Sequence, residues 1–339
     1  MIHGHGDDLY RYSGDIQVNF STNIPEVRHY GLERHLASRI SDISHYPDPD
    51  ASALTARIAT TLGVGSDNVL VTGGAVDAIY SLARLHAGSV SAIMAPTFSE
   101  YADAAAMYGH TVVYFDSLCH VPQADVVWIC NPNNPTGGVI DPASILAAAQ
   151  SRPSTLWVID QAYEDYVDTP VLTDAGAVAV GNVVLLHSMT KRYHIPGLRV
   201  GYMVAAAAVV AALRQSRMPW IVNALAIAAV DYALDRQDEF AIDTRALVAE
   251  QKRVAARLRA IGVEVADSST NFLLARLPGR LHASDLKQWL VGSAGMLIRD
   301  ASNFYGLTPS HLRVAVQGRS DNDKLVDMIQ LWLQQYLPA

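Results

Sequence analysis

The chain has 339 residues, of which 50% are hydrophobic and 17% are charged, and its formal net charge is -8 at pH 7. This length can hold one large domain and a smaller one, and the composition is typical of a soluble globular enzyme. The negative charge argues against nonspecific binding to nucleic acid or to an acidic membrane. Cys119 and Cys130 are the only cysteines, which excludes a disulfide framework and favours a reducing cytoplasm.

The amino-terminal residues 1–8 lack the basic start and the apolar stretch of a secretion signal. The longest apolar run, residues 200–213, is too short to cross a bilayer and predicts a core strand that leads into a buried helix. His3 and His5 alternate, but no third ligand cluster accompanies them, so no metal site is predicted. A strand-like segment at 17–20 and a helix at 31–40 come next. Residues 45–50 form a rigid turn because Pro47 and Pro49 fix the backbone.

From residue 51 the pattern alternates between helices and short β-rich runs. Strands are predicted at 68–72, 90–95, 111–115, 125–130, 155–159 and 183–187, and helices at 54–62, 75–86, 99–108 and 142–150. This alternation predicts an α/β fold with a mostly parallel central sheet flanked by helices. Ligands of such sheets bind beyond the carboxyl ends of the strands.

Beyond residue 235 the sequence no longer shows the regular alternation of helices and short strands. A long charged amphipathic stretch at 240–261 is followed by short strands at 263–265, 270–277, 296–298 and 312–316, with helices near 286 and at 322–336. This order predicts a smaller α+β domain. We therefore expect a large ligand-binding domain at 48–235, and a small domain made of 236–339 together with the active-site segment 1–47.

Lys191 lies just beyond the buried strand 183–187, between small hydroxyl residues and a Pro-Gly break. A strongly hydrated ammonium is unusual there, and an amine in that place suits Schiff-base chemistry with a carbonyl. Arg199, eight residues later, could hold an anion nearby. The alternative is a solvated loop lysine and an arginine that starts a strand.

Other polar residues also follow predicted strands. Gly73 and Gly74 end one strand where a helix begins, which suits phosphate binding, although a plain glycine turn has the same pattern. Phe98 could lie on a flat ligand or pack in the core. Asp160 ends an apolar strand, where a carboxylate is costly unless it meets a cation. Nucleotide-binding fingerprints are absent.

These motifs occur in one characteristic order. Asn-Pro-x-Asn-Pro-Thr-Gly at 131–137 precedes Asp-x-x-Tyr at 160–163, Ser-x-Thr-Lys at 188–191, Arg199 and Leu-Arg-Val at 312–314. The chain thereby resembles the class I/II aminotransferase-like enzymes of pyridoxal 5'-phosphate (PLP) fold type I over nearly its whole length.

The resemblance implies a role for each residue at a matching position. Lys191 would hold PLP as a Schiff base and later move protons, and Asp160 would keep the pyridine nitrogen protonated so that the ring can accept electrons. The other cofactor contacts implied are Tyr163 and Asn134 to the ring O3', Phe98 stacked on the ring, and Gly74, Ala75, Val76, Ser188 and Arg199 at the phosphate. Tyr46 would reach the phosphate site of a partner subunit, which implies a homodimer with shared sites.

The same resemblance leaves two reactions open. The start at His5-Gly6, residues 19–24 and residues 297–307 are similar to L-threonine-O-3-phosphate decarboxylases of cobalamin synthesis. In that case Arg299 and Arg313, helped by Asn23 and His5, would hold a substrate with both phosphate and carboxylate. The alternative is an aminotransferase of the histidinol-phosphate type, which shares the cofactor motifs and a similar arginine pair.

Two departures concern the phosphate contacts of the decarboxylases. Their usual His-Gly-Gly start is His5-Gly6-Asp7 here, and their Ser-Ala-Asn is Ser21-Thr22-Asn23. A PLP-binding regulator of this fold would carry a DNA-binding extension, for which the chain has neither room nor a basic patch. The sequence therefore favours a PLP enzyme acting on a small phosphorylated amino acid.

Overall fold

The computed structural model describes residues 8–12 and 16–336. Its strands are β1 (Val18–Asn19), β2 (Val69–Thr72), β3 (Val90–Met94), β4 (Thr111–Phe115), β5 (Val126–Cys130), β6 (Leu156–Asp160), β7 (Val183–His187), β8 (Gly201–Val204), β9 (Glu264–Val265), β10 (Phe272–Arg276), β11 (Met296–Leu297), β12 (Arg299–Asp300) and β13 (His311–Ala315).

Its α-helices are α1 (Tyr30–Ser38), α2 (Ser52–Leu62), α3 (Ala75–Leu85), α4 (Glu100–Met107), α5 (Pro142–Gln150), α6 (Asp174–Val180), α7 (Met189–Arg192), α8 (Ala207–Ser216), α9 (Ala224–Asp235), α10 (Thr244–Ala260), α11 (Ala283–Ala294) and α12 (Arg319–Tyr336). Within the residues described, no helix is both long enough and apolar enough to cross a membrane.

In the described part of the chain, seven strands form one sheet in the order β2-β8-β7-β6-β5-β3-β4. β8 is antiparallel to both of its neighbours, whereas the pairs from β7 to β4 are parallel. Strands β2, β5, β6 and β7 are buried along their whole length, because separate apolar clusters cover the two faces. The expected mostly parallel α/β sheet flanked by helices is confirmed.

A second sheet, in the order β12-β13-β10-β9, is antiparallel and follows the large sheet in sequence. The amino-terminal segment lies beside it: β1 and β11 form a separate two-stranded parallel sheet, and the Phe20 carbonyl accepts the amide N–H of Ala315 in β13. The Phe20 ring is fully buried in the same apolar cluster as Leu312 and Trp332. Burial of such a ring contributes about 2–3 kcal/mol, so residues near 20 are fixed beside the second sheet.

The structure differs from the predicted elements in two respects that matter for the site. Asp160 is the last residue of β6 rather than a residue after it, paired in register with Cys130 and Leu186. Lys191 lies on the one-turn helix α7, where a loop was one alternative. Helices α6 and α9 were not predicted.

Candidate active site

A cavity of about 230 Å³ lies at the carboxyl ends of the parallel strands. Its walls come from the strand ends, from residues 21–24 and from β13. It brings together eleven of the residues singled out in the sequence: Asn23, Ala75, Val76, Phe98, Asn134, Asp160, Tyr163, Ser188, Lys191, Arg199 and Arg313. Residues separated by up to 290 positions in sequence therefore converge on one pocket, as expected for the carboxyl edge of such a sheet.

One end of the cavity is built to hold an anion. Helix α3 starts at Ala75, so its first N–H groups have no partner within the helix. Gly74 has a positive φ of 91°, and a Cβ there would lie 3.0 Å from Nη2 of Arg199. The guanidinium is thus held against the helix start, and a helix amino terminus with an adjacent arginine favours a phosphate.

The close approach of these backbones also depends on Gly201. A Cβ at this position would lie 2.6 Å from the His187 carbonyl oxygen and 3.1 Å from the Ala75 nitrogen. The Asp77 carboxylate accepts the Gly73 N–H at 3.0 Å, which fixes the turn before the helix. Ser188, beside this turn, shares a hydrogen bond of 2.8 Å with the Thr190 hydroxyl.

The floor of the cavity carries the buried Asp160 carboxylate. It accepts a hydrogen bond from the Tyr101 hydroxyl at 2.7 Å and another from the Ala162 N–H at 3.0 Å. Burial raises the pKa of Asp160, and those two hydrogen bonds oppose the shift. The positive charges of His187 and Lys191 also favour its ionised form. A buried carboxylate kept ionised in this way suits the protonated ring nitrogen of a ligand.

Phe98 is half-buried above this floor and meets Tyr101 edge-on, with ring centroids 5.8 Å apart. Asn134 faces the cavity because its loop is tied back. The Asn133 amide donates to the Pro96 carbonyl at 2.9 Å, and the Thr97 hydroxyl donates to the Asn133 side chain at 2.9 Å. A flat ligand could therefore stack on the Phe98 ring and form a hydrogen bond with the Asn134 amide.

Lys191 Nζ lies 6.0 Å from the centre of the Tyr163 ring. Burial raises the pKa of the Tyr163 hydroxyl to about 12, although Arg313 and Asn23 favour its ionised form. That hydroxyl accepts a hydrogen bond from the Asn23 amide at 3.0 Å. An amine, a neutral phenol and an amide therefore meet at the centre of the cavity.

The opposite end of the cavity is cationic. Arg313 donates to the Asn134 side-chain oxygen at 2.5 Å and to the Ser21 carbonyl at 2.6 Å, and its Nε has no hydrogen-bond partner among residues 8–12 and 16–336. Arg299 faces it across β12 and β13 as its register partner, so both side chains lie on one face. Arg299 does not line the cavity itself and donates to the Asn303 side chain at 2.7 Å.

Both guanidinium groups are buried, to 6% and 4% exposure for Arg299 and Arg313. Burial lowers the pKa of each, and the Arg313 charge adds to the effect on Arg299, whose pKa falls to about 10. In the part of the chain described, no carboxylate pairs with Arg313. Two neighbouring buried cations of this kind call for an anionic ligand.

Three of the predicted site residues that the structure describes do not line this cavity: Tyr46, Gly74 and Arg299. Tyr46 is 86% exposed, packs at 5.3 Å against the Trp220 ring, and lines a different cavity of about 550 Å³. His5 lies outside the described residues. Gly74 adjoins the cavity through Arg199 without lining it.

Sequence reasoning missed Tyr101 and Cys130, which both line the cavity. Tyr101 is three residues after Phe98 at the start of α4, so it lies one helical turn away and on the same side. That spacing could have indicated it. Burial raises the pKa of the Cys130 thiol to about 12, and Asp160 adds to the shift. The thiol is therefore protonated and contributes a neutral group to the cavity wall.

The residues present fit PLP by their chemistry. Arg199 and the start of α3 match its phosphate, the buried Asp160 carboxylate matches a protonated pyridine nitrogen, and Lys191 supplies the amine. The flat ring would lie between Phe98 and the floor.

Comparison with known proteins agrees with this geometry. The profile of the family described as aminotransferase class I and II matches residues 13–329. Histidinol-phosphate aminotransferase of Lactiplantibacillus plantarum is 31% identical over 325 residues, which cover 89% of this chain and 88% of that protein.

Two solved structures resemble the chain over most of its length. L-threonine-O-3-phosphate decarboxylase from Porphyromonas gingivalis has a TM-score of 0.89 and 35% identity, covering 94% of this chain and 99% of that one. Histidinol-phosphate aminotransferase from Sinorhizobium meliloti, solved with pyridoxal-5'-phosphate, has a TM-score of 0.85, covering 95% of this chain and 92% of that one. At 19% identity the second likeness shows the fold alone.

Proposed function

The chain belongs to the family of class I and II aminotransferases and is a PLP-dependent enzyme; from that premise, we propose that it decarboxylates L-threonine O-3-phosphate. The products are CO₂ and 1-aminopropan-2-yl phosphate, the phosphorylated amino alcohol that cobalamin synthesis uses. In this proposal residues 48–235 hold the cofactor, and residues 1–47 with 236–339 hold the substrate.

The pair of buried arginines supports the anionic substrate in this proposal, and the likeness to the 35% identical decarboxylase structure supports the choice of decarboxylation. Arg313 and Arg299 are adjacent on β13 and β12, and Arg313 has an unpartnered Nε among the described residues. A guanidinium binds a carboxylate or a phosphate through two parallel hydrogen bonds. Two of them side by side suit a small substrate that carries both groups.

The residues divide the work as follows. Bound PLP supplies the electron sink that accepts the bond electrons released at Cα. Asp160 keeps the pyridine nitrogen protonated, with Tyr101 and the Ala162 N–H holding the carboxylate in place. Arg313 and Arg299 hold the carboxylate and the phosphate, with Asn23 and His5 as further contacts, and thereby select which bond at Cα breaks.

Lys191 acts at the same centre. Its amine holds the cofactor before the substrate arrives and afterwards returns a proton to Cα, which balances the loss of CO₂ from the substrate carboxylate. Phe98 and Tyr163 cover the ring and keep water away from Cα. Tyr163 and Asn134 hold the ring O3', and Ser188, Gly74, Ala75, Val76 and Arg199 hold the cofactor phosphate.

The exposure of Tyr46 supports a homodimer. Its side chain is 86% exposed, and its neighbour Trp220 is also exposed. In this proposal Tyr46 serves the phosphate site of a second copy, and the two sites share residues.

The alternative is an aminotransferase of the histidinol-phosphate type, which the 31% identical relative favours. One experiment separates the two reactions. The purified protein with PLP is given L-threonine O-3-phosphate, and CO₂ and keto acid consumption are both measured. We expect CO₂ without keto acid consumption. Amino transfer from glutamate to imidazole-acetol phosphate, with no CO₂ from threonine phosphate, would overturn the proposal.

A further inference from the structure

A buried histidine that the proposed reaction does not use lies directly before Ser188. His187 ends β7, and its side chain is 2% exposed. Its Nδ1 is 2.6 Å from Oε1 of Glu164, and its Nε2 is 2.9 Å from Oδ1 of Asp174. The ring also stacks on Tyr202, with centroids 4.4 Å apart.

The geometry fixes the charge of this side chain. Ionised carboxylates only accept hydrogen bonds, so both ring nitrogens must donate, and only an imidazolium has two N–H groups. Burial by itself would lower the pKa of His187, but Glu164 and Asp174 outweigh it and raise the pKa to about 10. Of the other charged side chains nearby, Asp165 and Arg192 pair with each other at 3.3 Å, and the Asp160 carboxylate on β6 interacts electrostatically with His187.

The contacts of His187 join two active-site segments. Glu164 follows Tyr163 in the turn after β6, and His187 precedes Ser188 on the segment that leads to Lys191. Two further contacts join the same segments, since Asp165 pairs with Arg192 and the Tyr166 hydroxyl donates to the Lys191 carbonyl at 2.9 Å. Asp174 at the start of α6 clamps the ring from the other side.

We propose that His187 is a positioning residue: as an imidazolium between Glu164 and Asp174, it locks the turn that carries Tyr163 to the segment that carries Ser188 and Lys191. It touches neither cofactor nor substrate. The inference rests on PLP binding at Lys191, not on which reaction follows. Its substitution should affect the chemical step and not substrate binding, because Arg299 and Arg313 lie on the other sheet.

The charge is tested directly by NMR of holoenzyme labelled with ¹⁵N-histidine. We expect both His187 nitrogens to carry protons at about pH 8, where a free imidazole is neutral. The His187 signals are assigned because they disappear from the spectrum of His187→Gln. Their shift in the spectrum of Asp174→Asn provides a second assignment. A ring nitrogen without a proton at that pH would overturn the proposal, and this measurement needs no turnover.

The positioning role is tested with His187→Gln and a matched control, His110→Gln. His110 is also buried, but its ring bonds to the Ser91 hydroxyl and the Ala83 carbonyl, away from the cavity. We expect His187→Gln to lower kcat about 10- to 100-fold with KM within about twofold, and to shift the visible absorption of bound PLP. The control His110→Gln should keep the wild-type kcat and the wild-type absorption of bound PLP.

The pair His187→Gln and Glu164→Gln closes a double-mutant cycle. If the two residues act through one contact, the double variant loses no more activity than His187→Gln alone. Additive losses, or a folded His187→Gln protein with normal kcat and absorption, would overturn the positioning role. If His187→Gln does not fold, Glu164→Gln must still lower kcat without raising KM. A wild-type protein that binds PLP but releases no CO₂ would reject the proposed reaction and leave this inference standing.

Discussion

The cofactor side and the substrate side of the cavity differ in how their buried charges are paired. On the cofactor side, defined by Asp160, Tyr163, Ser188, Lys191 and Arg199, the surrounding charges are paired within the protein. His187 meets Glu164 and Asp174, and Arg192 meets Asp165.

On the substrate side, defined by Asn23, Arg299 and Arg313, two buried cations are neighbours and Arg313 has only neutral partners among the described residues. In the part of the chain that the structure describes, no carboxylate pairs with the buried Arg313 charge, which is costly, so this side suits an anionic ligand. The difference indicates a cofactor site that is formed in advance and a substrate site that selects its ligand by charge.

The largest effect is expected on the cofactor side. Lys191→Ala removes the amine that holds PLP and moves protons, so turnover should fall by roughly 10⁴-fold or more. The visible band of covalently bound PLP should disappear with it, as measured by absorption spectroscopy. Lys324→Ala is the control, since that lysine is exposed and pairs only with Asp321 at 3.8 Å. If Lys191→Ala kept the visible band of bound PLP and normal turnover, Lys191 would not be the residue that holds the cofactor.

A smaller effect, confined to binding, is expected on the substrate side. Arg313→Gln removes one charged anion contact, which is worth about 1.5–3 kcal/mol. KM for threonine phosphate should rise about 10- to 100-fold, while the PLP band stays normal. Arg276→Gln in the neighbouring strand β10 is the control, because Arg276 is half exposed and pairs with exposed Glu264. Loss of PLP binding in Arg313→Gln would break the division between the two sides.

The sequence predicted the residues of the cofactor side better than the helices and long-range contacts that hold them in place. Short β-branched runs and glycine breaks located most strands of the large sheet, and motif order placed Lys191, Asp160 and Arg199. Helix α9 was missed because its alanine-rich stretch has few polar residues and shows only a weak helical period, although Asn223 caps it by accepting the Ala226 N–H at 2.8 Å.

Contacts between distant elements could not be predicted. The Tyr101 bond to Asp160 joins residues 59 positions apart, and the His187 bond to Glu164 joins the end of β7 to the turn after the neighbouring strand β6. Both depend on strand order and register, which local periodicity does not encode. The spacing of Arg299 and Arg313 was visible, but their direct pairing across β12 and β13 was not. The roles of all the site residues, including Tyr46 and His5, stay predictions.

One contact joins the amino-terminal segment to the cofactor side, and its strength should depend on pH. His29, just before α1, and His194, just after α7, share a hydrogen bond of 2.9 Å between ring nitrogens. Burial lowers the pKa of His194 to about 4, and His29 adds to the shift. The unfolded chain therefore binds the proton first as pH falls, so this contact stabilises fully above about pH 6.5 and is lost towards about pH 4.

His194→Asn tests this contact, because asparagine tolerates the left-handed backbone of residue 194, whose φ is 55°. Between about pH 7 and pH 4.5, the free energy of unfolding of the wild type should fall more steeply than that of the variant. The difference should be on the order of 2 kcal/mol after allowance for solvent screening. Chemical denaturation at several pH values measures it. Parallel curves would mean that the two histidines join the segments without responding to protons, and that the pH dependence of the fold arises elsewhere.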